Sequence, residues 1–463
     1  MHQEQTAHRA GFYRYITLAL ITIVLAFSSG DRATLSVAGP SITSELGISK
    51  VEMGWIFSAF AWAYVLGHVP AGWLVDRYGA KKTVLYGLIF WSAATFMAGF
   101  VSYTAYPFVA LLCLRVLLGI FECPVGPSSG RIIAAWFPSA ERGVAGAVFN
   151  SAQYLSLAVF SPLMGWLNYQ FGWEHIFTVM GGLGFILAFF WWRMYFIPSE
   201  HPKVTQDELH YIRSGGALAD LAPADANSSS KGIILKDILS LFKNRMLVGI
   251  FIAQYCITAI TWFFVSWFPT YLVEKLHLDI LQAGFIASLP AIAGCIGGVS
   301  SGFVSDWILV KTGNLSIARK TPITIGLFLS ASIILCNYTD SAVLVIALIS
   351  LAFFGKGFGN LGFAVVADTA PRELIGVTGG VFNGLGNSAG IVTPLVIGYL
   401  VQGSGNFSSA LLFVGLHGIV AILSYWVIVG EIKRVELHRA PENDGVPENA
   451  GIEASAKASL GKI

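Results

Sequence analysis

The sequence predicts an all-α membrane protein, with twelve transmembrane helices arranged as two pseudo-symmetric six-helix bundles. Three observations indicate this fold class. Hydrophobic residues make up 55% of the 463 residues and charged residues only 12%, whereas about a quarter of the residues of a soluble domain are charged. Apolar segments of membrane-spanning length follow one another along the chain. A motif that follows the second segment returns after the eighth, which indicates an internal duplication.

The apolar segments form two groups of six, on either side of a polar stretch. They are expected at 15–38, 54–75, 83–103, 107–130, 143–168, 174–197, 246–272, 280–305, 321–338, 341–366, 375–402 and 408–430. The polar stretch contains the run GGALADLAPADANSSSKG, which is typical of a flexible linker. The predicted domains are an N-terminal six-helix bundle at 1–197, a cytoplasmic linker at 198–243, a C-terminal six-helix bundle at 244–430 and a disordered cytoplasmic tail at 431–463.

The basic residues predict the orientation in the membrane. The first segment directly follows a polar stretch that ends at Arg14, without a small-residue cleavage site, so we expect an uncleaved helix. With the N-terminus inside, the outer loops carry only Lys50 and Lys275, whereas the inner loops carry many lysine and arginine residues. This asymmetry predicts a multi-pass protein of the inner (plasma) membrane with both termini in the cytoplasm.

The composition also limits the function. The net charge of +2 is too small to suggest a nucleic-acid partner. The five cysteines lie singly in apolar segments, without the spacing of a metal site or a disulfide framework. Nucleotide-binding loops, metal-ligand clusters and nucleophile triads are not recognisable. We therefore expect neither an enzyme nor a cofactor or metal.

The duplicated motif reads GWLVDRYGAKK at 72–82 and GFVSDWILVKTGNLSIARK at 302–320. Both copies place Gly-x-x-x-Asp at a helix end and a basic cluster after it. We interpret the motif as a cytoplasmic conformational latch, in which the aspartate caps or pairs with a neighbouring helix end. Its members are Gly72, Asp76, Arg77, Gly79 and Asp306. For the lysines alone, plain positive-inside topology is an equally good explanation.

Charged residues inside the apolar segments are few, and they are costly unless they face protein or water. They are Asp31, Arg32, Arg115, Glu122 and Lys356. Arg32 stays ionised and suits bidentate recognition of a carboxylate. Asp31 lies about 100° further round the helix, so we expect it to face the packed helices of its own half.

Glu122 lies in the apolar run IFECPV, a setting that favours its protonated form near neutral pH. Glu122 and Asp31 are therefore the candidates for proton coupling. Arg115 and Glu122 share one helix face but lie about 10 Å apart along it, too far for a local ion pair. The alternative is that Asp31, Arg115 and Glu122 form a buried structural charge network.

Polar side chains near these charges are candidates for binding a polyol. The most promising are Tyr64, Gln153 and Asn383. Single Asn and Gln residues in membrane helices otherwise serve as hydrogen-bond partners between helices.

Lys356 is the charged residue expected inside the C-terminal bundle. We expect the flanking glycines of AFFGKG to leave space around its ammonium, with Asn360 and Phe363 one and two turns further along the same face. If Arg32 binds one carboxylate from the first bundle, Lys356 can bind a second from the other, as a six-carbon dicarboxylic sugar acid requires. The alternative is a lysine that bonds to helix-end carbonyls or lines hydrated space.

The motifs also resemble those of known proteins. The 72–82 loop resembles the signature of the major facilitator superfamily, and the resemblance covers essentially the whole chain. GDRATLS, RVLLGIFECP and FNSAQY resemble the anion:cation symporter family, and AQYCITAITWFFVSWFP, IARKTP and AFFGKG resemble bacterial D-glucarate/galactarate transporters. In the related galactonate:proton symporters, residues matching Asp31 and Glu122 are assigned to proton coupling, and those matching Arg32, Tyr64 and Gln153 to substrate binding.

The residues and the resemblance together predict proton-coupled uptake of sugar acids by alternating access. The expected substrates are the dicarboxylates D-glucarate and galactarate, the expected partners are protons and the lipid bilayer, and the expected unit is a monomer. Phe363 falls at a substrate-contact position that is Trp in the relatives, and this departure leaves its role open. The alternatives are a proton symporter of aldonates or hexuronates such as galactonate and glucuronate, a non-coupled facilitator, and a membrane sensor.

Overall fold

A computed structural model describes residues 12–138, 141–219, 235–371 and 374–436. The predicted disordered tail lies outside the described residues from 437 onward, and so does the part of the predicted linker at 220–234. The described residues are helical almost throughout and form no β-strand.

The N-terminal bundle consists of α1 to α6. These are α1 (Tyr13–Leu46), α2 (Lys50–Ala98), α3 (Pro107–Glu122), α4 (Val125–Trp136), α5 (Arg142–Phe171) and α6 (Glu174–Met194). Helix α2 contains both the second and the third predicted spans, because the chain passes between them through Gly79 alone. At φ 78° and ψ 157°, Gly79 has a backbone conformation that favours glycine. The fourth span is α3 and α4 together, interrupted at Cys123 and Pro124.

Two short helices lie between the bundles, and eight helices follow in the described part of the chain. The short ones are α7 (Gln206–Ser214) and α8 (Leu235–Phe242). The others are α9 (Arg245–Ser266), α10 (Phe268–Leu276), α11 (Ile280–Thr312), α12 (Leu315–Ala331), α13 (Ala342–Gly357), α14 (Leu361–Thr369), α15 (Ile375–Ser404) and α16 (Ser408–Leu423). A 3₁₀ turn at Phe358–Asn360 joins α13 to α14, and the two helices together form the tenth span.

The predicted twelve-helix, two-bundle fold is confirmed. Ten helical stretches of the described residues are long and apolar enough to cross a membrane, and the two arms of α2 on either side of Gly79 supply the remaining two. Several helix starts follow from polar caps that are visible in the sequence: Ser49 forms a capping box with Glu52 at the start of α2, and Asp279 caps α11.

The two bundles meet at one end of the molecule, through two contacts between glycines. Gly54 on α2 lies against Gly398 on α15, and Gly165 on α5 lies against Gly284 on α11. A Cβ atom on Gly54 would lie 2.9 Å from the carbonyl oxygen of Pro394. One on Gly284 would lie 2.8 Å from a backbone carbonyl of α5. We call these two contacts the glycine seams, and the end where they lie the closed end.

Polar contacts across the bundles reinforce the closed end. Lys50, at the start of α2, forms an ion pair with Glu274 on α10, and the backbone N–H of Val51 donates to Oε1 of Gln402 at 3.0 Å. At the opposite end of the described structure, the ion pairs of the duplicated motif each join helices of a single bundle. The bundles are thus joined at the closed end and braced separately at the other.

Part of the predicted linker packs on the N-terminal bundle. Glu208 on α7 is fully buried and accepts a hydrogen bond from the backbone N–H of Arg14 at 3.2 Å. The hydroxyl of Tyr211 donates to Oε1 of Glu141 at 2.6 Å, and this hydrogen bond raises the pKa of Tyr211. Helix α7 therefore ties the start of α1 to the start of α5.

Candidate functional site

The centre of the N-terminal bundle contains a buried ion pair that the sequence analysis did not predict. Arg32 on α1 pairs with Glu122, the last residue of α3, and its Nε lies 2.5 Å from Oε1 of Glu122. The hydroxyl of Ser28, one turn before Arg32, donates to the same oxygen at 2.5 Å. Within the described structure, Oε2 of Glu122 has no hydrogen-bond partner. Arg32, expected to be free for a substrate, is therefore occupied by a carboxylate of its own bundle.

Local sequence explains why these groups meet. Ser28 and Arg32 are four residues apart and so lie on one face of α1. Helix α3 comes close to α2 because Gly119 has no side chain. A Cβ atom at this position would lie 2.5 Å from the carbonyl oxygen of Phe60. Pro124, which has no N–H to donate, follows at the break between α3 and α4. The i,i+4 spacing of Ser28 and Arg32 was the one available signal of a shared partner.

Asp31 points away from this pair, toward the second arm of α2. Its side chain is fully buried, and Oδ2 accepts a hydrogen bond from the hydroxyl of Thr95 at 2.7 Å. Oδ1 has no hydrogen-bond partner among the described residues. The neighbouring residues Asp31 and Arg32 therefore do not neutralise each other.

Arg115 lies against the backbone of α1 beside Arg32, and its part in a charge network with Asp31 and Glu122 stays a prediction. Its Nη2 donates to the backbone carbonyl of Arg32 at 3.2 Å, and its guanidinium lies 5.8 Å from the ring centre of Phe60. No ion pair joins Arg115 to a carboxylate in the described part of the chain. Arg115 thus holds the backbone of α1 at the site, and the ion pair at the centre of the bundle is Arg32 with Glu122.

Aromatic rings of α2 hold the guanidinium of Arg32 from one side. Its central carbon lies 4.8 Å from the ring centre of Tyr64 and 5.2 Å from that of Phe60, and the two rings stack on each other at 5.3 Å. Such cation–π contacts favour a cation at this point. His68 lies against Tyr64 with the ring centres 4.4 Å apart. About 16% of the Arg32 side chain is exposed, whereas Glu122 is buried, so an incoming ligand would meet Arg32.

A second cation lies in the C-terminal bundle. Lys356 on α13 is buried, and its Nζ lies 3.4 Å from the hydroxyl of Tyr154 on α5, in the other bundle. The side-chain amide of Asn360 bonds to the same hydroxyl, with Nδ2 at 2.7 Å and Oδ1 at 3.0 Å. Lys356 forms no ion pair with any residue that the structure describes. Tyr154 ends the FNSAQY motif, but the sequence analysis had singled out only its neighbour Gln153.

The glycines beside Lys356 serve packing and do not leave space around the ammonium as expected. A Cβ atom on Gly355 would lie 2.2 Å from the carbonyl oxygen of Gly326 on α12. One on Gly357 would lie 2.5 Å from the backbone nitrogen of Gly298 on α11. The two glycines therefore bring α13 close to α12 and α11, and Lys356 lies at the bundle interface for that reason.

Three other predicted binding residues have no recorded contact with either cation in the described structure. Gln153 is exposed on α5 and makes no hydrogen bond that the structure records among the described residues. The side-chain oxygen of Asn383 accepts a hydrogen bond from Asn387 at 2.9 Å. Phe363 is 56% exposed, and its ring centre lies 5.1 Å from that of Phe382.

The predicted latch residues have partners that the sequence did not indicate. In the N-terminal copy, Oδ1 of Asp76 lies 2.8 Å from Nη1 of Arg131 on α4. Arg77 lies over the ring of Trp73 at 5.1 Å, Gly79 breaks α2, and Gly72 has no neighbour within 4 Å of a Cβ position.

The C-terminal copy of the latch has a three-membered arrangement. Arg319 lies 3.7 Å from Asp306 and 2.9 Å from Asp368, the latter on α14. In each copy, the aspartate of the motif pairs with an arginine of its own bundle. The position of that arginine differs between the two repeats.

Two helical bundles that meet around two cations, one from each bundle, are typical of a membrane transporter of small molecules. The comparisons with known proteins agree. The model of the Major Facilitator Superfamily matches residues 21–318. The chain belongs to the major facilitator superfamily.

The relatives are named transporters, not enzymes, as expected from the sequence. The chain is 48% identical over 427 residues to the probable galactarate/D-glucarate transporter GudP of Escherichia coli, covering 92% of this chain and 95% of the relative. It is 40% identical over 429 residues to a D-galactonate transporter of Escherichia coli, covering 93% and 98%. The crystal structure of a bacterial homologue of the human lysosomal transporter Spinster has the same fold, with a TM-score of 0.69, 15% identity, and 90% and 97% of the two chains covered.

Proposed function

We propose that this protein imports the dicarboxylic sugar acids D-glucarate and galactarate together with protons, by alternating access. It would act as a monomer in the inner membrane with both termini in the cytoplasm, so that the closed end faces outward. The observation that carries the proposal is the pair of cations inside the bundles, the partly buried Arg32 in one and the buried Lys356 in the other. An acid with a carboxylate at each end would bind both at once.

The ion pair of Arg32 with Glu122 supports coupling to protons. A substrate carboxylate and Glu122 compete for one guanidinium, since Oε1 of Glu122 already accepts from its Nε. Protonation of Glu122 weakens the ion pair and leaves Arg32 available for the substrate. When the substrate leaves toward the cytoplasm, Glu122 loses its proton and pairs with Arg32 again. The release of the proton and the release of the substrate are thereby linked, because both depend on whether Glu122 is paired with Arg32.

The charge of the substrate explains why coupling is needed. A dianion that moves inward against a negative-inside potential is opposed by about 2.3 kcal/mol per charge per 100 mV. Two protons remove this opposition. Glu122 would carry one, and Asp31, whose Oδ1 lacks a partner among the described residues, would carry the other.

The C-terminal bundle would select for a second carboxylate. Lys356 is buried without a carboxylate partner in the described structure, so a substrate with one carboxylate leaves an ammonium that is desolvated and unpaired. Polyol hydroxyls between the two ends would bond to Tyr64, Gln153, Asn360 and Asn383, with Phe363 at the edge of the site.

The second candidate function is proton-coupled uptake of an aldonate or a hexuronate. It is favoured by the D-galactonate transporter of Escherichia coli, which is similar over nearly its whole length. A non-coupled facilitator has no need for the pairing of Arg32 with Glu122, and a sensor would bind without translocation.

The test is uptake by the purified protein in proteoliposomes that contain a pH-sensitive dye. We expect uptake of labelled glucarate with acidification of the interior. Unlabelled galactarate should compete about as well as glucarate, and galactonate and glucuronate should compete at least tenfold less well. Glucarate uptake without acidification would refute coupling, and stronger competition by galactonate or glucuronate would refute the dicarboxylate assignment. Binding without uptake would indicate the sensor.

A further inference from the structure

The hydroxyl of Tyr154 is where the N-terminal bundle touches the cation of the C-terminal bundle. We infer that Tyr154 is a specificity-determining positioning residue: it fixes the ammonium of Lys356 so that the site prefers acids with two carboxylates over acids with one. This role rests on the proposed transport of dicarboxylates. The contacts of Tyr154 themselves do not depend on that proposal.

This hydroxyl contacts two residues of the C-terminal bundle. A tyrosine hydroxyl has one proton to donate and two lone pairs that accept. The lone pairs accept from Nδ2 of Asn360 at 2.7 Å and from Nζ of Lys356 at 3.4 Å, and Oδ1 of the same amide lies 3.0 Å away. The hydroxyl thus joins Asn360 and Lys356, and Tyr154 acts through Lys356.

Lys356, in contrast, has donors to spare. An ammonium has three protons, and the hydroxyl of Tyr154 accepts the one hydrogen bond that the described residues offer. The remaining surroundings are the faces of two rings, with Nζ 5.2 Å from the ring centre of Tyr154 and 5.5 Å from that of Phe353. The two free protons suit the two oxygens of a carboxylate.

The neighbouring helices make this placement rigid. Asn360 is confined by α11, because a Cβ atom on Gly298 would lie only 2.8 Å from its Nδ2. Tyr154 lies eleven residues before Gly165, so it is about 16 Å along α5 from the glycine seam. It therefore lies deep in the interface, where the proposed substrate site is, and not at the closed end itself.

The test is the Michaelis constant for two acids in two protein backgrounds. Tyr154→Phe removes one oxygen atom and keeps the ring. We expect its KM for glucarate to rise about tenfold, the effect of losing a hydrogen bond to a charged group, and its KM for galactonate to change less than twofold. Tyr169→Phe is the matched control, on the exposed outer face of the same helix, and should change neither.

A double mutant separates positioning from other roles. If Tyr154 acts through Lys356, Tyr154→Phe should change the glucarate KM less than twofold once Lys356→Gln is present. An equal loss for both acids, a complete loss of transport, no change, or a loss that persists in the Lys356→Gln background would each overturn the inference. Wild-type protein that transports galactonate but not glucarate would overturn the dicarboxylate proposal instead, so the two failures are distinguishable.

Discussion

The glycine seams predict how the closed end can be forced open. In Gly54→Ala and Gly284→Ala, the new Cβ atoms would lie 2.9 and 2.8 Å from backbone carbonyl oxygens, whereas ordinary contact starts at 3.4 Å. The carbonyls belong to helix backbone and cannot turn aside, so each seam must widen by about 0.5 Å. Overpacking of this kind costs about 1–3 kcal/mol. We therefore expect each substitution to shift the equilibrium about tenfold toward the state that is open at this end.

The assay is the labelling rate of a cysteine buried beneath the closed end. Ser36 is 1% exposed and lines a cavity of about 20 Å³ between the bundles. Ser36→Cys, with the five native cysteines replaced by serine, should react about tenfold faster with a membrane-impermeant maleimide when either glycine is replaced. The double replacement should give a larger increase still, because the seams share no residue. Gly182→Ala is the control, since a Cβ atom there meets nothing within 4 Å. Labelling of both seam variants at the control rate, with folded protein, would refute the reasoning.

Three further outcomes are expected. Glu122→Gln should retain glucarate counterflow but carry one proton fewer per glucarate, because Arg32 stays free of an ionised partner while Asp31 still carries the other proton; proton influx at the wild-type ratio would argue against the competition for Arg32. Lys50→Gln should raise the labelling rate about two- to fivefold, and less in high salt, because its ion pair crosses the bundles near the surface. Lys275→Gln removes an ion pair within one bundle and should leave the labelling rate unchanged. Equal effects of Lys50→Gln and Lys275→Gln would contradict this explanation. Burial and two nearby lysines lower the pKa of His201, so the unfolded chain binds the proton more readily and stability should fall as the pH drops below about 6.5. His201→Gln should make the melting temperature in detergent less dependent on pH in this range. An unchanged pH dependence would disprove the role of His201.

Hydropathy and duplication were sufficient to predict the fold, because a membrane span is a local property of about twenty consecutive residues. The loop expected between the second and third spans is reduced to a kink, because Gly79 alone turns the chain between the two arms of α2. The partners within the site were harder to predict. Arg32 and Glu122 come from different helices, and periodicity gives the face of each helix but not which faces meet. The same limit hid the contact of Tyr154 with Lys356, although both residues lie in motifs that the sequence analysis quoted.

The glycine seams also separate two tasks of the molecule. The atoms that touch there belong to backbone, which is the same whatever the side chains are, whereas Arg32, Tyr154 and Lys356 act at the proposed substrate site through their side chains. Changes in the acid-binding residues therefore leave the closing surface untouched. A related protein could acquire a new substrate by a few substitutions deep in the interface and would keep the glycine seams of the closed end unchanged.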